Sequence, residues 1–166
     1  MELQSFIQKF ISYARESEQI TIYNKASLLH ELALFLEQHL QMGDYDVQIS
    51  RQAEQVVMGA KGEDFTKEVI DLYVYQITGK EQYAIQLYVM DGEENSPAVA
   101  APKDELYFLK SLKHHGFRQA HLLLIRSEKV DEAEIVLPKT YSVEWQELQR
   151  LSQGGNGLWV CAVLTV

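Results

Sequence analysis

The sequence predicts an α/β domain in which a central mixed sheet is flanked by helices. Three observations point to it. Residues 68–90 hold two adjacent strand-like runs with apolar residues on both sides, the pattern of a sheet covered on both faces. Two segments of helical period precede them. A third such segment, at 103–116, leads straight into an apolar run at 119–125, which reads as a crossover returning to the sheet.

The elements follow in order. Leu3, Phe6, Ile7, Phe10, Ile11 and Ala14 recur at three- and four-residue spacing, an amphipathic helix over 2–16. Residues 19–23 either extend it or form a short β link. Asn24 or Ser27 caps a second helix reaching about Leu40, with Leu28, Leu32, Phe35 and Leu36 as its stripe. A strand begins at 45–50 and is expected to resume at 55–58 after a bend, with a loop at 59–64. In the first central run Val69, Asp71, Tyr73 and Tyr75 share one side, and Ile70, Leu72 and Val74 the other. In the second, Tyr83, Ile85, Leu87 and Val89 oppose Ala84, Gln86 and Tyr88, with the turn near Gly79–Lys80. Residues 91–102 are either a mobile connection or a binding rim.

Leu106, Leu109 and Leu112 define the third helix, whose Lys103, Lys110 and Lys113, interspersed with Asp104 and Glu105, read as a solvated face. A short strand is expected at 133–137, a helix within 141–151, a flexible turn at 153–157 and a terminal strand at 158–166, covering an edge of the sheet.

The length of 166 residues suits one domain, 1–166, with a substantial core. The formal charge of -9 opposes a general nucleic-acid footprint, which needs clustered cations. One cysteine, Cys161, excludes an intrachain disulfide framework and multi-cysteine zinc patterns. With no early run resembling a signal peptide or membrane span, a cytoplasmic location is expected.

Few residues signal chemistry. His30 and His39 lie on different helix directions, and His114 and His115 are adjacent near a helix end, so neither pair makes a compact ligand set. His121 opens an apolar strand and reads as structural or surface-capping. Ser27 lacks a nucleophile elbow, and the QGGNG at 153–157 lacks the lysine and hydroxyl of a phosphate loop. Asp71 is different. It is the one carboxylate well inside the central strands.

Three stretches, NKASLLHELALFLEQHL at 24–40, IDLYVYQITGKEQYAIQLYV at 70–89 and KDELYFLKSLKHHGF at 103–117, resemble a bacterial family related to the PD-(D/E)XK nucleases. The resemblance covers a little under half of the chain and implies a three-layer restriction-endonuclease-like core. It places Glu31 at a helical metal-assisting position and Asp71 at the first strand position. The acidic residue of the half-motif falls at Gln86 and its lysine at Tyr88. Gln86 lacks the anionic charge that helps hold Mg²⁺, and a tyrosine is ordinarily neutral. Lys103 replaces the lost cation only if the catalytic ammonium has migrated.

The expectation is therefore a catalytically inactive relative that serves in macromolecular binding, regulation or self-association, without a cofactor. Its acidic balance favours a protein partner or a homo-oligomer over nucleic acid. The alternatives are a divergent Mg²⁺-dependent nuclease using Glu31, Asp71 and Gln86 as ligands, or a small-molecule sensor or structural protein using the cleft as a pocket.

Overall fold

The computed structural model describes residues 1–17, 20, 22, 24–40, 43–90, 102–151 and 157–166. The expected link at 19–23, connection at 91–102 and turn at 153–157 fall largely outside them. Helices α1 (Leu3–Glu16) and α2 (Lys25–His39) are followed by β1 (Tyr45–Gln52), the single turn α3 (Ala53–Val56), β2 (Val69–Gln76) and β3 (Gln82–Met90). Helix α4 (Lys103–His114), β4 (Gln119–Ser127), β5 (Gln146–Leu151) and β6 (Gly157–Thr165) complete the order. The strands form one mixed sheet, β1-β2-β3-β4-β6-β5. Among the described residues its one parallel pair is β3–β4, with α4 between them in the chain. That is the predicted three-layer α/β architecture.

The two faces have separate cores. Leu3, Ile7, Phe10 and Ile11 of α1 join Leu28, Leu32 and Leu36 of α2 over Leu72, Val74, Tyr83, Ile85 and Leu87. On the other face Leu106, Phe108, Leu109 and Leu112 of α4 pack on Ala84, Ala120, Leu122 and Leu124. Successive residues of β3 and β4 thus enter opposite cores, which accounts for their nearly continuous apolar sequence. Asn24 caps α2: its side chain accepts the Ser27 N–H at 2.9 Å, and Ser27 Oγ accepts the Asn24 N–H at 3.1 Å. Asn24→Ala should lower stability by about 1 kcal/mol and Asn24→Gly by only a few tenths, measured by urea unfolding.

Four expectations are corrected. Residues 53–56 are helical rather than a resumed strand, because Val57 N–H bonds Ala53 C=O at 3.0 Å. Residues 132–134 make a 3₁₀ turn, held by Asp131 accepting the Ala133 N–H, where a strand was expected over 133–137. The helix expected within 141–151 is extended chain leading into β5. Tyr141, Val143 and Trp145 pack on the α4-side core with a period of two, which a helix cannot satisfy. The terminal segment is a strand, but β6 lies between β4 and β5, so β5 takes the edge.

The predicted alternation in β2 also breaks. Ile70 enters the α4-side core with Tyr73, whereas Leu72 and Val74 enter the other. The change of face falls at Asp71. In β1, Ser50 lies between the partners of Leu72 and Ile70 and has a φ of 56°, a left-handed conformation unusual outside glycine. Both strands are irregular at one level of the sheet.

Candidate functional site

The irregularity builds the site. The β2–β3 ladder runs from Tyr75↔Gln82 to Leu72↔Ile85, while β2 continues beside β1 to Val69 and β3 continues beside β4 to Met90. Beyond Leu72, side chains replace the ladder. Asp71 N–H donates to Gln86 Oε1 at 2.6 Å, and Gln86 Nε2 donates to Val69 C=O at 3.3 Å. Leu87 N–H donates to Asp71 Oδ2 at 2.8 Å. The Gln86 amide stands in for a peptide unit, and the Asp71 carboxylate for a backbone carbonyl.

Each helical layer adds a charge. From α2, Lys25 Nζ lies 2.7 Å from Asp71 Oδ2. From α4, Glu105 Oε2 accepts Gln86 Nε2 at 3.2 Å, while Glu105 Oε1 pairs with Lys67. Gln86 is 1% exposed and Glu105 4%. Lys25–Asp71–Gln86–Glu105–Lys67 is thus a polar chain running through the sheet from one helical layer to the other. Its two carboxylates and two ammonium groups balance in charge. Pairing of this kind relieves the burial of charge, which is strongly unfavourable for an isolated ion.

The sequence-predicted residues divide. Asp71 and Gln86 meet directly. Glu31 is half-buried on α2 and, among the described residues, makes no hydrogen bond or ion pair with either. The α2 residue that reaches Asp71 is Lys25, six positions earlier and on a different side of the helix. Tyr88 is half-buried and packs against the α4-side core. Lys103 is exposed at the first position of α4, and the lysine that reaches Glu105 is Lys67.

Lys25, Lys67 and Glu105 were missed from sequence. Glu105 carried a signal: with Phe108, Leu109 and Leu112 it occupies the i, i+3, i+4, i+7 stripe of α4. The expectation that it shared a solvated face is corrected by its burial against Gln86. Lys67 lies outside regular structure and has no such signal.

The donor set does not fit Mg²⁺ as it is arranged. Asp71 Oδ2 already accepts Leu87 N–H and meets Lys25, Gln86 Oε1 is taken by Asp71 N–H, and both Glu105 oxygens are engaged. Among the described residues Asp71 Oδ1 is the one carboxylate oxygen of the cluster without a partner, whereas a divalent cation needs several converging on one point, and gaining more here means displacing a lysine. No cluster of three or more His, Cys, Asp or Glu side chains suited to a metal occurs among the described residues.

Against family models, curated proteins and solved structures, the chain has no match. What stands is the α/β fold itself, a mixed sheet flanked by helices. No helix among the described residues is long and apolar enough to cross a membrane.

Other reactive side chains are held in place. His121, 1% exposed, bonds Thr165 Oγ1 at 3.1 Å through Nδ1, and burial lowers its pKa to about 4. Cys161 is buried, and its thiol is pushed up to about 12. A thiol so rarely ionised is a poor nucleophile.

Proposed function

We propose that this chain is a catalytically silent, nuclease-like α/β protein that acts by binding a macromolecular partner or by self-association. The succession of α2, the β2–β3 hairpin and α4, with Asp71 meeting Gln86 where two strands part, supports the restriction-endonuclease-like reading of the fold. One observation carries the functional reading: the Lys25 ammonium lies on Asp71 Oδ2, where an active site of this type would need a metal ion. The chain's own cation neutralises the carboxylate, and the Gln86 carbonyl is committed to the backbone. The oxygens serve cohesion between strands rather than chemistry on a phosphate. The acidic charge of -9 favours protein over nucleic acid as the partner.

Calorimetric titration with Mn²⁺, paired with a plasmid-nicking assay, tests the silent site. The wild type is expected to show no stoichiometric uptake at millimolar Mn²⁺ and no nicking. Saturable binding together with cleavage that disappears in Asp71→Ala would sink the reading.

A further inference from the structure

β1 is the outer strand of the sheet, and two bonds decide which of its backbone groups face outward. Asp44 C=O accepts Ile77 N–H at 2.9 Å, one position beyond the Tyr45↔Gln76 pair. On the far side of β2, Gln76 N–H donates to Glu81 C=O at 2.9 Å. Opposed residues of an antiparallel ladder alternate between bonded and non-bonded pairs. Both bonds therefore give one answer: Asp44, Asp46 and Gln48 bond to β2, and Tyr45, Val47 and Ile49 turn their N–H and C=O groups away from the sheet. Among the described residues no backbone group of another element bonds these three.

This free edge is short and bounded. Gly43 before it and Ser50 after it both have left-handed φ, 91° and 56°. Past Ser50, Ala53 N–H bonds Glu68 C=O at 2.8 Å, so odd-numbered residues now face β2 and the alternation has slipped by one. Within 45–49 there is neither lysine nor proline, the residues that commonly guard an edge, and Ile49 is 40% exposed. The opposite edge is different. There β5 carries a register shift between Glu147 and Gln149, a device that discourages edge pairing.

We propose that β1 pairs antiparallel with β1 of a second copy about a two-fold axis at Val47, joining two six-stranded sheets into one. The inference rests on the self-association reading above and names its surface. One register engages all three outward residues: Val47 opposite Val47, and Tyr45 opposite Ile49 on either side. With two bonds exchanged at each such pair, it forms about six main-chain hydrogen bonds. The side chains suit the same register. The exposed Ile49 would stand beside Tyr45 of the second copy, an aromatic and β-branched pair. Asp46 would stand opposite Gln48, the residue whose Nε2 it already accepts at 2.7 Å, and not opposite another carboxylate. Any extended strand would meet the backbone groups. The self-complementary side chains are what select a second copy.

Sedimentation over a concentration series provides the first test. A concentration-dependent dimer is expected, with its dissociation constant raised at least tenfold by Ile49→Glu, a variant that circular dichroism should show to be folded. The double variant Asp46→Cys/Gln48→Cys reads the register. Positions 46 and 48 of the two copies would be directly opposed, so mild oxidation should link the chains. Asp46→Cys alone should not link them, because two residues 46 would lie roughly 8 Å apart, beyond disulfide reach. The native Cys161 is buried and takes no part. A monomer at about 100 μM protein, a dimer indifferent to Ile49→Glu, or a dimer that the double variant fails to link would overturn the proposal. None of these results bears on the silent site, which Mn²⁺ uptake and nicking test separately.

Discussion

Replacing Gln86 by Leu should remove about 3 kcal/mol or more of stability, one of the largest effects expected of a single substitution in this chain. The side chain is 1% exposed and makes three hydrogen bonds, to Asp71 N–H, to Val69 C=O and to Glu105 Oε2. Leucine is of similar bulk, so little of the loss would come from a cavity. The loss would come from a backbone donor, a backbone acceptor and a carboxylate left without their partner. Urea unfolding gives the number directly. A change below about 0.5 kcal/mol would show that the strands are held together at this level without the amide, contrary to the hydrogen-bond geometry.

Gln86→Glu separates this account from simple volume. Glutamate keeps an acceptor for Asp71 N–H but places a second carboxylate beside Glu105, where Gln86 Nε2 now donates at 3.2 Å. Two ionised carboxylates at that range repel, so the folded state holds a proton more tightly than the unfolded chain. The sign follows: the folded variant binds more protons, and its deficit should be greatest at neutral pH and shrink on acidification.

His121 supplies the second large effect, with the opposite response to acid. Burial holds its folded pKa at about 4, below the ordinary 6.5, so the folded state binds fewer protons than the unfolded one. Stability from this group is fully present above about pH 6.5 and is lost progressively as pH falls through 4. The loss reaches about 2–3 kcal/mol by about pH 4.5. Urea unfolding of the wild type and of His121→Gln at pH 7 and pH 4.5 reads this contribution. Glutamine cannot charge, so the variant should lose that much less stability between the two pH values. Identical pH dependence in the two proteins would mean that His121 does not become charged on unfolding in this range.

Much of the α/β plan was legible because its elements satisfy local rules. The stripes of α1, α2 and α4 and the alternation in β3 are patterns of burial, and burial is repeated along an element. The tail was legible only in part. Tyr141, Val143 and Trp145 show period two, but the switch to Leu148 in the opposite core obscures the strand that follows. Asp71 stood out for a related reason, as the one carboxylate within the central strands, whereas Gln86 was singled out only through the resemblance. Their actual contacts did not, because Asp71 lies where β2 changes face and leaves the ladder.

By itself, the order of residues determined the segments of α1, α2 and α4, the three central strands and the burial of Cys161. Only the tertiary structure decided that Lys25 and Lys67 neutralise Asp71 and Glu105. The physical reason is range. Hydrophobic period is written within a few consecutive turns of chain, whereas a charge meets its partner across 38 positions for Lys67–Glu105 and 46 for Lys25–Asp71, distances that only the packing of layers closes.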